Sequence, residues 1–246
     1  MCGYLEMLRS LLRGMLHYRF GKALVIATAC AGVTIYPAQS LAVEEDAGGW
    51  LAAFATKSID QHWIAYMEGQ LRYGDDIGRL SQTLWRPGIG YRLSPELSIW
   101  GGYAYITTAR VGADDTQEHR VWQQILWNAG EVFGAKVISR TRLEQRFVDP
   151  GDDTGWRFRQ FVRMVKPLEN WSGLDAVGYL EGFFHINDTD WGAESGLDQT
   201  RLFAGLGREI ASGIRLEGGY LNQYINSSRG DNRMNHILSL NLFLNF

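Results

Sequence analysis

The C-terminal end constrains this chain most. Leu238, Leu240, Leu242, Leu244 and the terminal Phe246 recur at every second position, with Ser239, Asn241 and Asn245 between them and Phe243 in their company. Strand side chains point alternately to opposite faces of a sheet, so this segment builds one unbroken apolar face. At the edge of a water-soluble sheet such a strand would be a template for other chains. In a closed barrel it pairs with the first strand and turns its leucines to lipid. The row also has the form of the C-terminal signal by which outer-membrane barrels are recognised. The lipid bilayer and the barrel-assembly machinery are therefore expected partners.

Upstream, segments of strand length alternate with turn clusters. They fall at 47–56, 61–73, 79–93, 96–109, 117–130, 134–147, 155–167, 173–186, 197–209, 213–225 and 234–246. Breaks such as Gly74-Asp75-Asp76, Ser94-Pro95-Glu96 and Asp149-Pro150-Gly151-Asp152-Asp153 carry turn chemistry. Long breaks roughly alternate with short ones, as outer loops alternate with periplasmic turns. The expectation is an all-β fold: a transmembrane antiparallel up-and-down barrel of about 10–12 strands. Bacterial barrels of this kind have an even strand number. That rule demands either that 47–56 is not a full strand or that 79–93, interrupted by Pro87-Gly88, merges two.

Within the segments, charge and apolarity separate by face. Arg140, Arg142, Glu144 and Arg146 oppose Thr141, Leu143, Gln145 and Phe147. Arg157, Arg159 and Arg163 oppose Trp156, Phe158, Val162 and Met164. Glu68 and Arg72 belong to the same polar face, as do Glu118, Arg120, Glu181, Arg201, Arg215 and Glu217. A soluble sandwich also alternates, with its charges in water. Mixed ladders of arginine and glutamate suit instead a polar lumen, where strands face one another. Rings near segment ends (Trp63, Tyr73, Trp127, Phe147, Trp156, Phe184, Phe246) match the aromatic girdles of membrane interfaces.

Residues 1–42 have the layout of an export signal, leaving 43–246 as the barrel. Arg13, Arg19 and Lys22 precede an apolar run from Ala23 to Tyr36, closed by Pro37, and Ser40-Leu41-Ala42 supplies small residues for cleavage. Met15 is an alternative start, since the stretch before it is longer than a signal needs. Both cysteines, Cys2 and Cys30, lie in this leader, which leaves the barrel without thiol chemistry. The net charge of −3 and the lack of a basic block with interleaved aromatics argue against a nucleic-acid binder.

Taken in order, several segments resemble a proteobacterial family catalogued as domain of unknown function twenty-four-ninety. They are Glu118 to Gln124 (EHRVWQQ), Ser139 to Phe147 (SRTRLEQRF), Arg157 to Leu168 (RFRQFVRMVKPL), Tyr179 to Phe184 (YLEGFF), Gly196 to Gly207 (GLDQTRLFAGLG), Leu216 to Tyr224 (LEGGYLNQY) and the ending NHILSLNLFLNF. The resemblance covers most of the chain after the leader. It implies an outer-membrane barrel and brings no activity or catalytic residue with it.

No enzymatic constellation stands out. His62, His119, His185 and His236 lack helical metal-ligand spacing, and no phosphate loop or nucleophile elbow is present, so no metal, cofactor or catalytic residue is expected. A lipid hydrolase would need a histidine and a serine together; His236 and Ser239 lie three apart and point to opposite faces of a strand. A bulge could bring that pair together, which keeps a lipid-modifying enzyme as a third function behind two others. One is a narrow, side-chain-filled barrel of structural role whose loops at 109–117 and 187–196 do the work. The other is a small anion-preferring channel, because arginines outnumber glutamates on the inner face.

Overall fold

The computed structural model describes residues 43–171, 173–227 and 231–246, and the expected leader at 1–42 lies outside them. Eleven strands run β1 (Val43–Ser58), β2 (Trp63–Gly74), β3 (Arg79–Arg92), β4 (Leu97–Thr108), β5 (Thr116–Val132), β6 (Ala135–Val148), β7 (Thr154–Pro167), β8 (Leu174–His185), β9 (Gly196–Ala211), β10 (Ile214–Ile225) and β11 (Asn232–Asn245). Each pairs with its neighbours in sequence, and β1 pairs with β11 to close the barrel. Strands of 12–17 residues exceed the ~9–11 that a tilted strand needs to cross hydrocarbon.

The even-number expectation fails. The segment at 47–56 is a full strand, Val43–Ser58, and the segment at 79–93 is one continuous strand, Arg79–Arg92, in spite of Pro87. Pro87 faces outward opposite Met67; the pairing with β2 continues through it, whereas the pairing with β4 lapses at Arg86 and Pro87 and resumes at Gly88↔Gly102. An odd number of strands closes only if one pair is parallel. That pair is β1 with β11, in register from Val43↔Asn232 to Thr56↔Asn245. Parallel ladders are only slightly weaker per residue than antiparallel ones. Val43 therefore lies at the rim opposite Phe246.

Side chains sort by face as the alternation requires, and the sorting is the reverse of that in a water-soluble protein. Leu51, Met67, Trp85, Ile89, Leu202 and Leu238 stand on the outside, 45–68% exposed, while Glu144, Glu217 and Arg142 are 0–2% exposed inside. Two apolar clusters also fill part of the interior. One joins Leu84, Ala104, Ile106 and Trp122, flanked by Tyr66 and Trp100; the other joins Val177, Phe203, Leu221 and Ile237, flanked by Trp50 and Tyr179. Glycine makes room for the first: a Cβ at Gly88 or Gly102 would collide with the Trp122 indole. Phe243, the apolar exception on the polar face of β11, points inward and stacks on Phe54 across the seam, ring centroids 4.8 Å apart.

The C-terminal residue fastens that seam. The Phe246 N–H donates to the Thr56 carbonyl at 2.9 Å, and the Ser58 N–H donates to the Phe246 carbonyl at 3.1 Å. Deleting Phe246 removes both bonds and the ring that ends the outer apolar row. The expected loss is about 1–3 kcal/mol of barrel stability, read as a lower temperature at which the folded band disappears from an electrophoretic heating series.

Candidate functional site

The lumen concentrates the ionised groups. Glu144 on β6 is its centre, with no exposed surface. Arg157 Nη2 donates to one carboxylate oxygen at 2.7 Å and Arg159 Nη1 to the other at 2.6 Å. Arg142 and Arg120 approach to 3.7 and 4.0 Å. Glu181 on β8 takes Arg140 and Arg159, both at 2.7 Å. Glu118 on β5 takes Arg120 and Arg146, both at 2.5 Å. Glu217 on β10 takes Arg163 and Arg215, both at 2.5 Å. The barrel's curvature explains this sharing: arginines on several strands converge on one carboxylate, whose two oxygens accept from two guanidiniums.

All fifteen residues named from sequence for the lumen charge network face inward. Subtracting glutamates from arginines, however, misstates which arginines lack partners. Bridging carboxylates satisfy most of them, and two carboxylates missed by that count add more: Asp175 pairs with Arg215 at 2.5 Å and Asp198 with Arg157 at 2.9 Å. A further arginine was missed, Arg86, which pairs with Glu68 at 2.7 Å with both side chains buried. The Pro87-Gly88 interruption, which allows 79–93 to be read as two strands, obscures its face in the sequence. In the folded sheet Arg86 stands opposite Glu68 in register.

Two guanidiniums of the fifteen-residue network stand apart. Arg72 on β2 donates to the Gln70 and Gln82 side-chain oxygens, and no carboxylate among the described residues lies within ion-pair distance. Arg201 on β9 has only Glu181, at 3.9 Å, and its Nε is buried without a partner. Both lie over Trp50 on β1, Arg72 Cζ at 4.1 Å and Arg201 Cζ at 4.8 Å from the ring. An indole face attracts cations through its quadrupole. It lets two like charges sit in one place without neutralising either.

These groups border a cavity of about 1300 Å³. Its lining runs from Glu44 and Arg233 near the rim of the longer loops to Thr56 and Asn245 near the C-terminal rim, with Arg72 and Arg201 between. At the loop rim, Trp191 from the β8–β9 loop leans over the mouth, with Arg146 4.9 Å from its ring. Gly155 accommodates the indole, because a Cβ there would overlap it. Asp190 holds the loop down: its carboxylate accepts from the Asp152 N–H at 2.8 Å and the Asp153 N–H at 3.2 Å. The Asp152 amide, foremost, holds the Asp190 carboxyl below its ordinary value. A depressed carboxyl stabilises the docked loop above the ordinary carboxylate range, and that contribution is lost as pH falls through the lowered value. The docked loop should persist from neutral pH to about pH 4 and loosen only in stronger acid, whereas Asp190→Ala should loosen it at every pH. Tryptophan fluorescence of Trp191, taken as the difference from Trp191→Phe, reads both.

Residues 47–235 match the family described as Protein of unknown function (DUF2490). The chain belongs to this family. An uncharacterized protein of Methylorubrum extorquens is 41% identical over 185 residues, 74% of this chain and 81% of that protein. Among solved structures, the NanC porin aligns with a TM-score of 0.47 at 11% identity, over 77% of this chain and 93% of the porin. Outer-membrane expressed OmpT of Vibrio cholerae aligns with a TM-score of 0.37 at 13% identity, over 74% of this chain and 63% of that one. The resemblance noted in the sequence and the family match therefore agree, and the barrel is closed as that resemblance implied.

The other sequence candidates separate. Leu238, Leu240, Leu242 and Leu244 lie along the outer face of β11, and Phe246 is 68% exposed at its end. Ser239 is buried inside, whereas His236 is on the outside, where its Nδ1 lies 2.6 Å from the Tyr220 hydroxyl. His185 is drawn into the lumen network, 3.4 Å from Asp198.

Proposed function

We propose that this barrel resides in the outer membrane and holds a narrow, largely side-chain-filled lumen that admits small anions. The observation that carries this is the pair Arg72 and Arg201, guanidiniums without close carboxylates that border a cavity lined from rim to rim. Fixed positive charge in a confined space of low dielectric concentrates anions and repels cations. The neutralised clusters around Glu144 and Glu118 act as walls, and a solute in the cavity meets Arg72 and Arg201 as charges that those clusters leave over. The outer row Leu238 to Phe246 serves, in the same proposal, as the surface offered to the barrel-assembly machinery.

Planar-bilayer recording tests the channel. Single-channel steps are expected, with a reversal potential on the anion side in a potassium chloride gradient; cation preference would overturn the proposal. Absence of any steps would favour a second function, a closed barrel that works through its loops. The observation behind that alternative is the pinned β8–β9 loop, which places Trp191 over the mouth.

A further inference from the structure

Mid-strand positions on the outer surface are apolar on most strands: Ala53 on β1, Met67 on β2, Leu180 on β8, Leu202 on β9 and Leu240 on β11. On β5–β7 they are not. Gln123 lies on the outer face of β5, halfway along the chain between His119 and Trp127. Gln145 on β6 faces the same way, and the two amides pair reciprocally: Gln123 Nε2 donates to Gln145 Oε1 at 3.1 Å, and Gln145 Nε2 donates to Gln123 Oε1 at 3.0 Å. Nearby, the Thr141 hydroxyl donates to Gln160 Oε1 at 2.7 Å, and Gln160 Nε2 donates to the Ser139 hydroxyl at 3.0 Å. Leu143 separates the two polar groups along β6.

This arrangement satisfies only part of what the side chains offer. A glutamine amide has two N–H donors and an oxygen with two lone pairs. Gln123 and Gln145 each use one donor and one lone pair on the other, which leaves a donor and a lone pair on each. In hydrocarbon no water can take them, and lipid tails offer nothing in return. A row of amides and hydroxyls carries no charge, so neither an acidic nor a basic partner is called for. It donates and accepts in equal measure, and its best complement is a second such row.

We propose that the outer face of β5–β7 is where two copies of this chain meet within the membrane. A two-fold axis passing near Leu143 sets the row against itself, as in any isologous contact. Each copy then supplies the donors and acceptors the other lacks, and Leu143 packs on its counterpart between the two polar groups. This inference is independent of conduction through the lumen, since none of its residues faces inward.

The test compares the wild-type chain with a triple variant, Gln123→Leu, Gln145→Leu and Gln160→Leu. Leucine suits a lipid-facing position, so the variant barrel folds at least as well as the parent. Sedimentation equilibrium in density-matched detergent should show a reversible dimer for the wild type and association weakened roughly tenfold or more for the variant. In a background with Cys2→Ser and Cys30→Ser, Leu143→Cys should form a disulfide-linked dimer in outer-membrane fractions, whereas Leu240→Cys on the far side should not. A wild type that stays monomeric at every protein-to-detergent ratio overturns the proposal. So does association unchanged in the variant, crosslinking through Leu240→Cys in place of Leu143→Cys, or a bound lipid or foreign protein on this face of a monomer.

Discussion

Replacing Glu144 by glutamine should be the most damaging single change to the barrel, lowering its unfolding free energy by about 3–5 kcal/mol. The substitution keeps the shape and removes the charge. It leaves Arg157 and Arg159, now 2.7 and 2.6 Å from a neutral amide, with only part of their charge compensated in a water-poor interior. The amide also supplies an N–H where a guanidinium expects an acceptor, so one of the two short contacts becomes donor against donor. Arg159 keeps Glu181, and Arg157 keeps Asp198, which sets the loss below that of stranding an isolated ion. Titration with urea in detergent, followed by the change in migration on heating, gives the magnitude. Lysine at position 159 would keep the charge and lose the forked contacts to Glu144 and Glu181 together, so Arg159→Lys should also destabilise, by a smaller amount.

The outcome at Glu144 bears on how far a sequence of this kind can be read. Alternation placed Arg142, Glu144 and Arg157 inside because a strand has only two faces and a period of two. That inference needs no knowledge of neighbours. It therefore also located the eleven strands, whose boundaries move by only a few residues between expectation and structure. What it could not supply was anything set by the closing of the sheet. The parallel seam joins Val43 to Asn232, at opposite ends of the described chain, and local pattern has no bearing on such a pairing. The even-strand rule stood in for that missing information and misled.

The same blindness applies across the lumen. That Glu181 serves both Arg140 and Arg159 depends on register between β6, β7 and β8, accumulated around the curve. Counting charges treats each arginine as a separate account; the folded lumen shares carboxylates and so decides which guanidiniums are left over. Trp50 shows the point most directly. Its position on β1 reads as another ring in an apolar strand, and only the closed sheet brings Arg201 of β9 over it. Likewise Phe161 and Phe183 stand among inward arginines and carry Arg140 and Arg159 on their faces at 4.3 and 4.4 Å. Aromatic rings inside a charged lumen are cation supports as well as filler.

If Arg72 and Arg201 set the selectivity, replacing both by glutamine should abolish the preference for anions while leaving the barrel intact. Neither side chain holds a carboxylate at short range, so the stability loss is confined mainly to the Arg72 hydrogen bonds to Gln70 and Gln82, about 1–3 kcal/mol. The electrostatic effect is larger. A unit charge a few ångströms from a passing ion contributes about 1 kcal/mol in bulk water and about 4 kcal/mol at the effective dielectric of a protein surface. Two such charges removed together should change the anion-to-cation permeability ratio by at least about tenfold. The reversal potential in a salt gradient would then move toward zero or to the cation side. Arg72→Lys with Arg201→Lys separates charge from shape: it should retain the anion preference while losing the planar stacking on Trp50. A double glutamine variant with unchanged selectivity would shift the filter to another part of the lumen, with Arg140 and Arg163 near the C-terminal rim as the next positions to replace.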